Sequence, residues 1–269
     1  MQKPAADWIK AAISITPGFE VAGDPYRGVS GDFDGMGISC GALQWNIGQG
    51  SLQPLVVRAG QATVLSAMPV HGSQMWLACT SSISKGLSIV RGWQTGSKLR
   101  ASAKAELSAL MNTPHMRAQQ DGEIDLVAQR SFERANKWAT SAGHAAPTKR
   151  LFCWFFDIVT QNGGLEGLTP KTVSDFIKLN SPDRVDDLIC DFLNNTRGSS
   201  GHVIDAHKNA ALWRNNAPGE KLDILCMSYL RSKTANPRWQ HVVLNRKGSI
   251  AMGKGWVNSG LRDFTVHGL

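Results

Sequence analysis

The sequence predicts a mainly α protein: a helical fold of two lobes with a small β element near residues 21–45. Three observations carry this reading. Apolar residues recur at helical spacing over most of the 269 residues. Residues 21–50 break that pattern and hold eight of the 27 glycines, as a turn-rich loop or small sheet would. The segment SAGHAAPTK at 141–149 has no period and offers the best internal boundary, dividing one domain (1–269) into lobes of about 1–145 and 146–269.

The elements follow in order. Residues 4–15 put Trp8, Ile9, Ala12 and Ile13 on one helix face, and Pro17-Gly18 stops that helix. Ser51 opens a helix through Ala59, with Gly60 as its stop. Helical patterns return at 72–91, 98–112 and 123–141; in the last, Ile124, Val127, Ala128, Ala135 and Trp138 share a face. Residues 148–162 form a mostly apolar helix, expected to be central and buried. Ser181-Pro182-Asp183 starts another that Gly198 ends, and two more fit 205–216 and 220–234. In the tail, HVVLNRKGSIAMG reads as a hairpin about an Asn-Arg-Lys-Gly turn.

Composition narrows the function classes. Hydrophobic residues make up 42% of the chain, enough for a sizeable core, yet no apolar run approaches the ~18–20 residues that span a bilayer. The opening MQKPAADWIKAAISI does not read as a signal peptide, so the expectation is a cytoplasmic chain, one exported without a cleavable signal, or a piece of a longer protein. Five cysteines with irregular spacing and no CxxC pair speak against a zinc or thioredoxin-like site; Cys153, Cys190 and Cys226 are expected as buried thiols. The seven histidines are scattered, and His202 and His207 lack the i, i+4 spacing of a helical metal pair. Asp32 and Asp34 lack the further ligands of a calcium loop, with Leu43 at its twelfth place. No metal or cofactor is called for. A net charge of +8 favours an anionic partner such as nucleic acid, an anionic membrane or bacterial wall, or it serves only solubility.

The informative stretch is ITPGFEVAGDPYRGVSGDFDGMGISCGALQWNIGQGSLQPLV, residues 15–56. It sets Glu20 between Phe19 and Val21, and Asp32 and Asp34 among glycines. Glycoside cleavage uses one carboxylic acid in an apolar surrounding to protonate the leaving oxygen. A second carboxylate, in a hydrated surrounding, stabilises the oxocarbenium-like transition state or activates water. Tyr26 and Trp45 are candidates to stack on sugar faces, and Gln44 and Asn46 to bond hydroxyls. Singly, each has a plainer reading: a surface acid, an Asp-Gly turn, a core tryptophan. Their clustering in one irregular segment favours chemistry.

This segment resembles the catalytic region of the lysozyme-like superfamily, nearest to the chitosanase family of glycoside hydrolases. That family has a Glu at the end of its first helix and then a DGRGYTAG-like run. DGMGISCG aligns with the run, placing Asp34 on the second catalytic carboxylate and Ser39 on the family's water-positioning Thr. FFDIVTQNGG at 155–164 is similar to a family helix with an Asp near its end. The match covers about 35 residues well and 151–200 faintly. It implies a lysozyme-like two-lobed fold, Glu20 as general acid, Asp34 as base and an inverting reaction, with the carboxylates roughly 6.5–9.5 Å apart. Two departures matter. The interval from Glu20 to Asp34 is shorter than in the chitosanases, so Asp32 remains an alternative base; and Met36 replaces the Arg of DGRG.

Chitosan is a polycation that a chain at +8 repels, whereas peptidoglycan carries carboxylates. The expectation is therefore a muramidase cleaving the β-1,4 bond of peptidoglycan. Similar domains serve as cell-wall-degrading effectors of bacterial secretion systems. That likeness implies delivery to the periplasm without a cleavable signal and leaves room for an immunity protein, with no nucleic acid and no membrane insertion.

Four competing readings stand beside it. GISCG at 37–41 matches a nucleophile elbow with Ser39 as nucleophile and His241 or His267 as base, but no buried strand precedes it. Cys40 with a histidine would make a wall-peptide amidase. A basic module binding wall or nucleic acid without catalysis would use the scattered cations, although Arg91, Lys98, Arg100 and Lys104 read more simply as a solvated face. A chitosanase-type glycosidase is the fourth.

Overall fold

The structure, a computed structural model, describes residues 3–19, 23–161 and 164–269. These are mainly helical. In chain order come α1 (Ala6–Ile15), then β1 (Val29–Ser30), β2 (Ser39–Cys40) and β3 (Trp45–Asn46). Four short helices follow, α2 (Leu52–Ala59), α3 (Gln61–Ala67), α4 (Gly72–Thr80) and α5 (Ile83–Arg91), and then the pair β4 (Gln94–Thr95) and β5 (Lys98–Leu99). Next are α6 (Ala101–Met111), the 28-residue α7 (Pro114–Ser141), α8 (Lys149–Gln161) and α9 (Pro170–Asn180). The chain ends through α10 (Val185–Asn194), α11 (Gly201–Trp213), α12 (Glu220–Lys233), α13 (Gln240–Met252), β6 (Lys254–Val257) and β7 (Gly260–Asp263).

The chain forms two compact units, residues 21–126 and residues 1–20 with 127–269. The boundary falls inside α7, whereas the segment at 141–149 that the sequence offers as a boundary joins two helices of the second unit. Thr113 and Pro114 explain the early start of α7: the Thr113 hydroxyl accepts from the Met116 amide, and a proline fits the first turn, where no amide partner is needed.

In the unit of residues 21–126, β1, β2 and β3 form an antiparallel sheet, with Val29 opposite Cys40 and Cys40 opposite Trp45. This is the small β element that the glycine-rich stretch predicts. Its backbone is pegged by Gln120, a fully buried α7 side chain: Oε1 accepts from the Ala42 amide at 3.0 Å, and Nε2 donates to the Met111 carbonyl at 2.9 Å. The helical pattern at 72–91 resolves into α4 and α5, because Ser82 starts a new helix by accepting from the Lys85 amide. Gly60, at φ 89°, ends α2 as its sequence implies.

In the other unit, α8 is central. Phe152, Trp154, Phe155 and Phe156 are fully buried, and Trp154 Nε1 donates to Ser228 on α12 at 2.9 Å. The predicted hairpin in HVVLNRKGSIAMG is overturned, for these residues form α13. Its Gly248 is no turn residue. The Trp213 ring packs on it so closely that a Cβ there would lie 2.5 Å from the indole. The hairpin of the tail follows instead, in β6 and β7 around Asn258 and Ser259, both at positive φ. All five cysteines are free and buried. Among the described residues no helix is long and apolar enough to cross a membrane.

Candidate active site

The loop GDFDGMG, residues 31–37, is built around Asp32. Its Oδ1 accepts from the Gly37 amide at 2.8 Å and its Oδ2 from Arg91 Nε at 2.6 Å. Arg91 also donates to the Gly35 carbonyl at 3.0 Å. Gln94 closes the loop from the other side, accepting from the Asp32 amide at 2.8 Å and donating to the Gly37 carbonyl at 2.8 Å. Burial alone would raise the Asp32 carboxyl; the Gly37 amide and the Arg91 guanidinium more than offset it, and the group stays below the ordinary carboxylate value. Asp32 is thus an ionised brace.

Asp34 differs. It is exposed at the tip of the loop, and among the described residues its one side-chain hydrogen bond is a local 3.1 Å contact from the Met36 amide. Between the two acids stands Phe33, 70% exposed. Phe33 is the exposed aromatic side chain on this braced loop. Phe33 was missed at the sequence level, where the DFD run reads as a polar turn.

Other candidates take different places. Ser39 is buried in the middle strand β2, opposite Ser30 and Asn46. Trp45 is 8% exposed, and its ring closes on Gly41; a Cβ on Gly41 would lie 2.9 Å from it. It is a core residue rather than a sugar platform. Asn46 is buried too and spends its amide within the turn, accepting from the Gln49 amide and donating to Gln49 Oε1. Gln44, at φ 56°, accepts from Ser30 and donates to the Gly41 carbonyl. The Tyr26 hydroxyl donates to Asp121, and Arg117 lies 4.8 Å from its ring; burial and Asp121 push its pKa up. These five side chains fold the sheet region and leave little to offer a ligand.

Glu20 lies outside the described residues, while the residue before it is well placed. The Phe19 ring lies 4.5 Å from the Arg246 guanidinium, and the Phe19 carbonyl accepts from Asn258 at 2.9 Å. Arg246 donates to the Thr16 carbonyl at 3.0 Å and to Asp157 at 2.8 Å. Asp157 is fully buried on α8 and also takes Lys247 Nζ, itself buried. Burial would raise Asp157, but Arg246 and Lys247 hold it at about 2. The signal was present in the sequence as an acid inside the apolar run LFCWFFDIV; its cationic partners were hidden in the segment read as a hairpin.

The arrangement bears on the competing chemistries. Cys40 is fully buried, and burial, with a smaller effect of Cys79, pushes its thiol far above the ordinary value, the opposite of an activated nucleophile. Ser39 sits within a strand, whereas a nucleophile elbow holds its serine at a sharp turn from strand to helix. Among the described residues no three His, Cys, Asp or Glu side chains group as a metal site would require. No family model matches the sequence, and no curated protein does.

Proposed function

We propose that the protein is a glycoside hydrolase of the bacterial cell wall, a muramidase that cleaves a β-1,4 bond of peptidoglycan with Glu20 as general acid and Asp34 as the second carboxylate. One observation carries the choice of Asp34: the loop divides its two acids, one locked to Arg91 and one exposed beside Phe33. A carboxylate that must take a proton from water needs a free, hydrated oxygen, and Asp34 has one where Asp32 does not.

In this reading Glu20 protonates the glycosidic oxygen as the bond to the anomeric carbon breaks. Water attacks the opposite face and gives its proton to Asp34, so the configuration inverts. Phe33 presents an apolar face to a pyranose ring. Arg246, paired with Asp157, stacks on Phe19, the residue that precedes Glu20 in the sequence. The mainly helical architecture, with a small sheet after the first helix, is in keeping with a lysozyme-like fold of two lobes. The net charge of +8 suits an anionic wall and disfavours chitosan. Delivery to the periplasm, and an immunity protein in the producing cell, belong to the same proposal.

The test is the rate of reducing-end release from purified peptidoglycan by Asp34→Asn and Asp32→Asn. Loss of a general base lowers kcat by roughly 10²–10⁴-fold, and that loss is expected of Asp34→Asn. Asp32→Asn weakens the brace and leaves measurable turnover. The reverse ranking would make Asp32 the base. Wall binding without product from the wild type would favour a non-catalytic wall-binding module.

A further inference from the structure

A concavity far along the sequence from the DFDG loop gathers two arginines and two histidines. It is an open groove of about 730 Å³ in the unit of residues 1–20 and 127–269, where the loop between α10 and α11 meets the start of α13. Arg197, His202, Arg238 and His241 line it, and no Asp or Glu does. Among the described residues neither Arg197 nor Arg238 forms a salt bridge, whereas Arg214 nearby in sequence pairs with both Asp187 and Asp191. Lys233 Nζ stands 4.0 Å from the ring of Phe192, another wall residue. The two imidazoles are close enough that His202, after burial, helps to depress His241. At the rim Trp239 is 46% exposed, with the Arg238 guanidinium 5.0 Å from its ring.

Scattered surface cations repel one another and need no explanation singly. Gathering two guanidinium groups in one concavity without a carboxylate, beside two imidazoles that can donate hydrogen bonds, builds a field that an anion relieves. Guanidinium groups bind carboxylate or phosphate through paired N–H donors, and an exposed indole beside them offers a flat apolar face. A single-stranded nucleic acid needs a track of successive aromatic platforms along a basic groove; here one exposed indole serves one compact cluster. The geometry fits one ring bearing one anionic group.

We propose that this cleft is a binding site for a pyranose that carries an oxyanion, held through Arg197 and Arg238 with its ring on Trp239. Naming a wall saccharide as the source rests on the muramidase reading; the preference for an anionic ring does not. The site anchors the wall polymer through residues other than those of the DFDG loop.

The test is calorimetric titration of Asp34→Asn, which spares the ligand from cleavage, alone and combined with Arg197→Ala, Arg238→Ala or Trp239→Ala. The probes are the N-acetylmuramic acid disaccharide with its carboxylate, N-acetylglucosamine phosphate, the neutral N-acetylglucosamine dimer and a short oligothymidylate. Unchanged melting temperatures establish that the surface variants fold. Losing one charge-assisted contact, or the stacking face of Trp239, weakens binding roughly tenfold, so each substitution should weaken one or both anionic sugars by about that much. Preference for the carboxylate sugar identifies the glycan strand as the source, and preference for the phosphate sugar identifies a phosphate-bearing wall polymer. Equal binding of the neutral dimer, oligothymidylate binding that the same variants abolish, or no binding of any sugar would each overturn the proposal. Peptidoglycan cleavage by otherwise wild-type protein, read separately, tests the muramidase reading, so failure of one is distinguishable from failure of the other.

Discussion

Replacing Asp157 by asparagine leaves the shape of the core and removes its charge. Lys247, which is 1% exposed, then loses its counter-ion, and Arg246, whose side chain is 14% exposed, loses its contact with Asp157. Breaking a buried pair by removing one partner costs about 3–5 kcal/mol, because an uncompensated charge stays in the interior. For a chain of this size that lowers Tm by on the order of 10 °C. Circular dichroism melts of wild type and Asp157→Asn measure it. The double variant Asp157→Asn, Lys247→Met removes the deeper cation and should recover about half the loss, since Arg246 can still reach solvent.

The pH dependence has a definite sign. Asp157 titrates near 2 in the folded protein, below its unfolded value near 4. Its contribution is therefore complete above about pH 4 and fades as pH falls toward 2, by about 2 kcal/mol, and Asp157→Asn should lack that acid-sensitive component. Burial holds Lys247 down at about 8 although Asp157 opposes the shift. Without the carboxylate, Lys247 sheds its proton more readily, so the variant's deficit should shrink by pH 9. A loss under about 1 kcal/mol, or a double variant no more stable than the single one, would refute the account of this charge cluster.

Two further substitutions separate folding from function in the glycine-rich stretch. Gly41→Ala puts a Cβ 2.6 Å from Gln120 Oε1 at φ 76° and should cost about 2 kcal/mol or more in chemical denaturation, through strain and loss of the Gln120 peg. Phe33→Ala should leave Tm within a degree or two, since the ring is already 70% exposed, and raise KM for glycan roughly tenfold; an unchanged KM would remove Phe33 from the site.

Much of the helical architecture was legible because apolar spacing and caps agree. α1, α2 and α8 follow from Pro17, Gly60 and the apolar run LFCWFFDIV. Thr169-Pro170 carried an unread start signal for α9, whose capping box pairs Thr169 with Thr172. α13 was illegible for a physical reason. It packs against α11, α12 and β6, so its polar residues point inward: Asn245 accepts from Asn209, Lys247 meets Asp157, and Ser249 donates back to the Asn245 carbonyl. A helix buried on most sides has no amphipathic period, and a mid-helix glycine that admits the Trp213 ring resembles a turn. At the candidate site, the sequence located the acids but could not divide their labour, because Arg91 lies 59 residues from Asp32. Trp45 and Asn46 were drawn to the ligand by residue type, and their burial in β3 shows how weak that criterion is.

Mass spectrometry of purified peptidoglycan after incubation with wild type, Glu20→Gln and Asp34→Asn tests the central claim most directly. The account predicts disaccharide-peptides from the wild type and none above background from either variant. Free stem peptides from the wild type, or undiminished disaccharide products from Glu20→Gln and Asp34→Asn, would contradict it.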